Sequence, residues 1–167
     1  LPPKGKSRAW AMQTRNFFKK EILPDTKSGC LKRKVVNITD TQIQDHWWNN
    51  AIDSFRKLLP EELPIGYTDG YTYDTFIIDT SIYMNYLVTM FKKLGGKMAK
   101  KSITNIAEPL QNYQIVINCA GLGSRKLFND KKVYPLRGQV IKVKPNGLDQ
   151  IIIDDSGPNN FAMAAPR

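Results

Sequence analysis

The stretch that decides the fold is "DGYTYDTFIIDTSIYMNYLVTMFKKLGGKM", residues 69–98. Its opening, "YTYDTFIID", alternates with the period of two that a half-buried strand requires. From residue 80 the period changes. Tyr83, Tyr86, Leu87, Met90, Phe91 and Leu94 recur at helical spacing and form an apolar stripe. Thr80 or Ser81 stands where a cap belongs, and Gly95-Gly96 closes the helix.

Upstream, Pro2-Pro3 and Gly5 read as a lead-in. Trp10, Phe17, Phe18 and Ile22 then trace one helical face, ended by Pro24. Residues 31–38 alternate weakly, as a strand does. "TDTQIQDHWWNNAIDSFRKL" (39–58) predicts a helix through Ile43, Trp47, Ile52 and Phe55, and "LPEELPIG" is a turn bracketed by prolines. Downstream the chain becomes strand-rich, with "KMAKKSI", "QIVINCA", "GQVIKVK", "QIIIDD" and "FAMAA" separated by turn-formers such as Asn146-Gly147 and "DDSGPNN". The pattern is α+β, helices early and sheet late.

The 167 residues are 41% hydrophobic with three tryptophans, which points to a packed core rather than a disordered chain. No apolar run approaches the roughly 18 residues of a bilayer span, and the start carries no signal-peptide pattern. Two cysteines are too few for a disulfide framework, so a reducing cytoplasm is the expected compartment. The chain begins at Leu1 and ends at Arg167 within what reads as a strand, so an excised piece of a longer protein is expected. A formal charge of +10 favours anionic partners, yet the lysines lie in scattered short pairs and suit a solvated basic surface better than a nucleic-acid groove.

The chemistry-bearing candidates are few. "IVINCAGLGSRKLF" (115–128) looks like a strand ending in a glycine-rich turn, with Gly121 and Gly123 permitting close backbone approach to a ligand. The third glycine of a dinucleotide fingerprint is missing, because position 126 is Lys, and spacing alone favours a plain tight turn. His46, the single histidine, excludes a His-rich metal site, and its tryptophan neighbours suggest a packed helix face. Cys30 and Cys119 lack metal-ligand spacing, and Cys119, at the end of an apolar strand, is expected to be an inert buried thiol. Tyr67, Tyr71 and Tyr73 could line a pocket, though alternate tyrosines usually pack. No metal is expected.

Taken in order, four motifs resemble the D-amino-acid oxidase family of FAD-dependent oxidoreductases. They are "FRKLLPEEL" (55–63), the strand–helix–glycine run of 69–98, "IVINCAGLGS" (115–124), close to a family V-N-C-T-G-x-x-A stretch, and "YPLRGQVIKVK" (134–144), similar to P-x-R-G-Q-I-x-K-V. The last is the most specific. The resemblance covers residues 47–167, and 1–46 match loosely.

The resemblance implies a substrate-binding domain with a mixed, largely antiparallel sheet flanked by helices, together with part of an FAD domain. The implied division is 1–46, an N-terminal helical and loop segment; 47–101, substrate-domain helices and strands; 102–133, a return to an FAD-domain strand and turn; and 134–167, substrate-domain sheet. FAD is the implied cofactor, with contacts at the backbone of Ser102, Ala120 and Gly121. The implied reaction passes a hydride from the α-carbon of a D-amino acid or related amine to flavin. A catalytic side chain is not assigned. The family's substrate strand carries two tyrosines that bind the carboxylate. They would fall at Asn159 or Phe161, and at Met163, none of which is tyrosine, and Ala120 stands for a family threonine. The implied partners are a small amino acid or amine, with a homodimer left open and no membrane. On its own the chain is expected to be inactive. Two other readings stand beside this one: a basic binding module for nucleic acid or another polyanion, and a family member that has lost turnover.

Overall fold

β1, Cys30–Thr39, is rich in β-branched residues and is the strand around which the sheet forms. Both its edges are hydrogen-bonded. β3, Asp69–Ile78, runs antiparallel to it along ten residue pairs, from Cys30 opposite Ile78 to Thr39 opposite Asp69. On the other edge β4, Ile151–Ser156, lies parallel, pairing Val35 with Ile151 through Ile38 with Asp154. β2, Arg56–Lys57, and β5, Asn160–Ala164, complete the order β2-β3-β1-β4-β5, each antiparallel to its neighbour. The α+β class therefore holds, with one parallel pairing in a largely antiparallel sheet.

In the computed structural model, which describes residues 4–52, 54–144, 146–156 and 160–166, this sheet belongs to a unit made of the chain up to Gly95 and again from residue 145. Its core follows from the central place of β1: Val35 is 2% exposed, and Cys30, Ile38, Ile151 and Ile22 are buried with it. Burial of the Cys30 thiol pushes its pKa up. Buried hydroxyls are satisfied locally, since Thr72 donates to the Val35 carbonyl at 2.8 Å and Ser28 accepts the Cys30 N–H at 3.1 Å.

Two helices flank the sheet. α1, Lys4–Phe17, continues into a wider turn over Phe18–Ile22 and ends ahead of Pro24, which has no N–H to extend the ladder. Phe18 lies 6.3 Å from Phe76 of β3, and the Arg15 guanidinium sits 5.6 Å above the same ring. α2 spans Thr80–Lys93. Its cap is Asp79, one residue before the expected Thr80 or Ser81: the Asp79 carboxylate accepts the Ser81 N–H at 2.9 Å. Tyr83 packs 6.0 Å from Phe18. No residue of α2 is fully buried, and its apolar stripe stays largely uncovered, ending just past the helix in Leu94 at 84% exposure.

Among the described residues of 39–58 the expected helix does not form. β1 extends through Thr39, the Ile43 N–H bonds to the Asp69 carboxylate at 2.9 Å, and a single 3-10 turn at Asn49–Ala51 precedes β2. Asn and Asp compete with helical hydrogen bonding, and the weak apolar period does not outweigh a side-chain acceptor 26 residues away.

The second unit spans Gly96–Lys144. It holds two single turns of helix, α3 (Ala107–Leu110) and α4 (Ser124–Leu127), and a 3-10 turn over Gly121–Gly123. The strands expected at 97–103, 114–120 and 138–144 are absent among the described residues. The sequence pattern is strand-like, but a strand persists only against a ladder partner, and these segments have no strand partner among the described residues. Ile115 and Ile117 are each 82% exposed. Cys119, expected to be buried, is exposed for the same reason.

Candidate functional site

Strand register assembles the first candidate site. Partner residues across a sheet project to the same side, so the pairings Tyr71–Asn37, Asn37–Ile153 and Ile153–Met163 place these four side chains in one row on one face. The next pair, Asp155–Phe161, lies two residues further along β4 and β5 and shares that face. Tyr73, Val35 and Ile151, two residues away along their own strands, form the neighbouring row on the same face.

The two ends of this face differ. Over β3 it is roofed by Trp48, whose ring lies 5.5 Å from Tyr71, 5.4 Å from Tyr73 and 5.6 Å from Phe55. His46 stacks on Trp48 at 5.2 Å, from a loop and not from the helix face expected. Burial pushes the Tyr71 hydroxyl up to about 12, aided by Tyr73 and by the charge of Asp155. Burial also raises Tyr73. Over β4 and β5 the face is open, with Phe161 67% and Met163 58% exposed. Asn159 lies outside the described residues. Neither Phe161 nor Met163 can donate a hydrogen bond, so this part of the face can wall an apolar group but cannot hold a carboxylate.

Adjacent aspartates on β4 are used in opposite ways, because successive strand residues point to opposite faces. Asp154 accepts from the Tyr67 hydroxyl at 2.8 Å and from both the amide and hydroxyl of Ser156, which together lower its pKa. Asp155 bonds through its main chain, its carbonyl accepting from Thr39 Oγ1 at 3.0 Å. Its exposed carboxylate takes no cation or donor among the described residues. Sequence reading singled out Phe161 and Met163 and missed Ile153 and Asp155, whose pairing depends on how β4 and β5 align.

A second candidate site, in the other unit, is the turn after residue 117. The Asn118 carboxamide accepts the Ala120 N–H at 3.1 Å and donates to the Ser124 hydroxyl at 3.1 Å, tying the two sides of the turn together. Asn118 was another omission, although an Asn three residues before Gly is a turn signal. Gly121 has φ +53°, and a methyl group built on it meets nothing within 4 Å. The turn is thus open on the side where a ligand's approach to backbone would need space. Ser102 lies in the same unit on an exposed irregular segment, and the turn's hydrogen bonds run to Asn118 and Ser124, not to Ser102. Phe161 and Met163 belong to the other unit. No helix of the described residues is long and apolar enough to cross a membrane.

Comparison with known proteins bears on both candidates. Residues 25–165 match the family described as FAD dependent oxidoreductase. The chain is 42% identical over 160 residues to a D-amino-acid oxidase of Dictyostelium discoideum, covering 95% of this chain and 45% of that protein. It is 27% identical over 166 residues to a D-amino-acid oxidase of Rubrobacter xylanophilus, covering 99% of this chain and 51% of the relative. A D-aspartate oxidase of Homo sapiens is 34% identical over 113 residues, 66% of this chain and 33% of that protein. The chain therefore spans about half the length of the first two relatives.

Proposed function

The chain belongs to the family of FAD-dependent oxidoreductases, and from that premise we propose that it supplies the substrate-facing sheet and one cofactor-contacting turn of an enzyme that oxidises a D-amino acid or related amine. The observation that carries the reading is the apolar patch of half-buried Ile153 with exposed Met163 and Phe161, on a sheet face that is roofed by aromatic rings over β3. It offers an apolar wall of the size of an amino-acid side chain.

The residues of the turn fit a flavin. Gly121 leaves its outer side bare, and Asn118 fixes the backbone through Ala120 and Ser124, so main-chain groups near Ala120 and Gly121 would meet the cofactor without a side chain intervening. The backbone at Ser102 would make a further contact. Loss of the family threonine at Ala120 removes a hydroxyl, and the Ala120 N–H is already given to Asn118, so the main-chain contact would fall to Gly121. Bound FAD would supply the two-electron acceptor for hydride leaving the substrate α-carbon. Water then hydrolyses the resulting imine. The protein's own part is to wall the side chain with Ile153, Phe161 and Met163 and to shield the reacting centre from solvent. The substrate carboxylate is bound by groups other than Phe161 and Met163.

At about half the relatives' length, the 167-residue chain by itself is proposed to be inactive and to bind FAD weakly. Two unpaired cysteines suit a reducing cytoplasm.

The deciding experiment is the visible spectrum of the full-length protein containing this chain, recorded anaerobically while D-amino acids and amines are added in turn. Flavin bands that bleach with one of them are expected. Bands that persist with every compound would mark a relative that keeps the cofactor without turnover. A colourless protein that refuses added FAD would overturn the reading and direct attention to polyanions, given the +10 charge of these 167 residues.

A further inference from the structure

Membership of the family leaves the charge of the substrate's side chain open, since the relatives include proteins named for D-amino acids in general and for D-aspartate. The register of β4 and β5 narrows it. Ile153 faces Met163, and the next pair on the same face is Asp155 with Phe161. Directly opposed residues of an antiparallel pair bring their β-carbons to about 5 Å, and two residues along a strand span about 6.8 Å. A wall of Ile153, Met163 and Phe161 therefore ends at a carboxylate roughly one extended lysine side chain away from its far edge.

Three observations separate Asp155 from an ordinary solvated aspartate. Its backbone is held by the bond from Thr39 Oγ1, at 3.0 Å, so the side chain leaves the sheet from a fixed point. Its carboxylate is unpartnered among the described residues, whereas Asp154 beside it is saturated by Tyr67 and Ser156 on the opposite face. Asp69, on the same face by register with Thr39, spends its two oxygens on the Ile43 and Gly70 amides. Asp155 is thus the acid left with its charge uncompensated beside the open apolar wall, in a chain whose formal charge is +10.

We infer that Asp155 is a specificity-determining residue that makes the site select D-amino acids with long cationic side chains, of the lysine and arginine type. The inference rests on the proposed D-amino-acid oxidase reading. The aliphatic stem lies along Ile153, Met163 and Phe161, and the ammonium or guanidinium group reaches the Asp155 carboxylate in a charge-assisted hydrogen bond. An acidic side chain in the same place meets like charge and is rejected.

The test uses the full-length flavoprotein, with kcat/KM measured for D-lysine, D-methionine and D-aspartate. D-Lysine is expected to exceed D-aspartate by at least about a hundredfold. The D-lysine to D-methionine ratio should fall by about tenfold in Asp155→Asn and recover in Asp155→Glu, as loss and return of one charge-assisted bond require. Oxidation of D-methionine without D-lysine, or a ratio unmoved by Asp155→Asn, overturns this inference and leaves the oxidase reading standing. Flavin that no D-amino acid reduces overturns both.

Discussion

Tyr71 occupies the junction between the roofed and open ends of the sheet face. Trp48 and Phe55 exclude water from its ring, and burial is the main reason its hydroxyl is pushed up to about 12; Tyr73 and Asp155 add negative charge or its prospect nearby. The ordinary tyrosine value is about 10. Because the folded value is the higher one, the fold favours neutral Tyr71. That contribution to stability is complete below about pH 10 and is lost as pH rises through about 12. A rapid pH jump read by tyrosinate absorbance should show one ring titrating near the top of this range, and Tyr71→Phe should remove that step. A Tyr71 that ionises with the exposed tyrosines would mean that the Trp48 roof is not closed in solution. The Tyr71 environment was only half legible in sequence. Alternate tyrosines at 71 and 73 mark a strand with packing on one side, but the ring that covers them comes from Trp48, which its own sequence context assigns to a helix.

β1 and α2 meet at Gly29, where local pattern and tertiary contact make separate demands. Gly29 has φ +68°, and its carbonyl accepts the Asp79 N–H at 3.0 Å, just before α2 begins. A Cβ placed there would lie 2.7 Å from Cβ of Ile82 and 2.9 Å from its methyl group. Gly29→Ala therefore combines left-handed strain, about 1–2 kcal/mol, with displacement of α2, and should lower the urea-unfolding free energy by about 2 kcal/mol or more. Restoring space with Gly29→Ala/Ile82→Ala should return part of the overlap loss but none of the backbone strain. A loss in Gly29→Ala no larger than the backbone strain alone, with no recovery on adding Ile82→Ala, would show that α2 does not dock against this turn. Elements governed by their own period were readable in advance, β3 running into α2 above all. The 39–58 segment was not, because the Asp69 carboxylate that captures Ile43 and the sheet edge that captures Arg56 and Lys57 are distant in sequence. In the same way "DDSGPNN" announces a turn without fixing which residues of β4 and β5 face each other, and so hides the pairing of Asp155 with Phe161.

Across the whole chain the contrast is between a sheet whose central strand is hydrogen-bonded on both edges and a second unit rich in strand-forming residues that make no strand. Sequence propensity is not the difference, since "QIVINCA" and "GQVIKVK" are as β-prone as β4. What differs is the supply of partners: β4 has Val35 through Ile38 of β1 on one side and β5 on the other, while residues 114–120 and 138–144 pair with no backbone among the described residues. Amide protection follows hydrogen bonding, so hydrogen exchange on the 167-residue chain should divide it sharply. The amides of β1 should be the slowest, opening only with the unfolding of the sheet. Those of 114–119 and 138–144 should exchange at rates near an unstructured peptide's, with Ala120, bonded to Asn118, the exception. In the full-length flavoprotein the second set should become protected, by strand pairing and cofactor contact, while β1 changes little. Strong protection of 114–119 in the short chain would show that this segment finds a partner by itself, and the proposal that the isolated chain binds FAD weakly would fall with it.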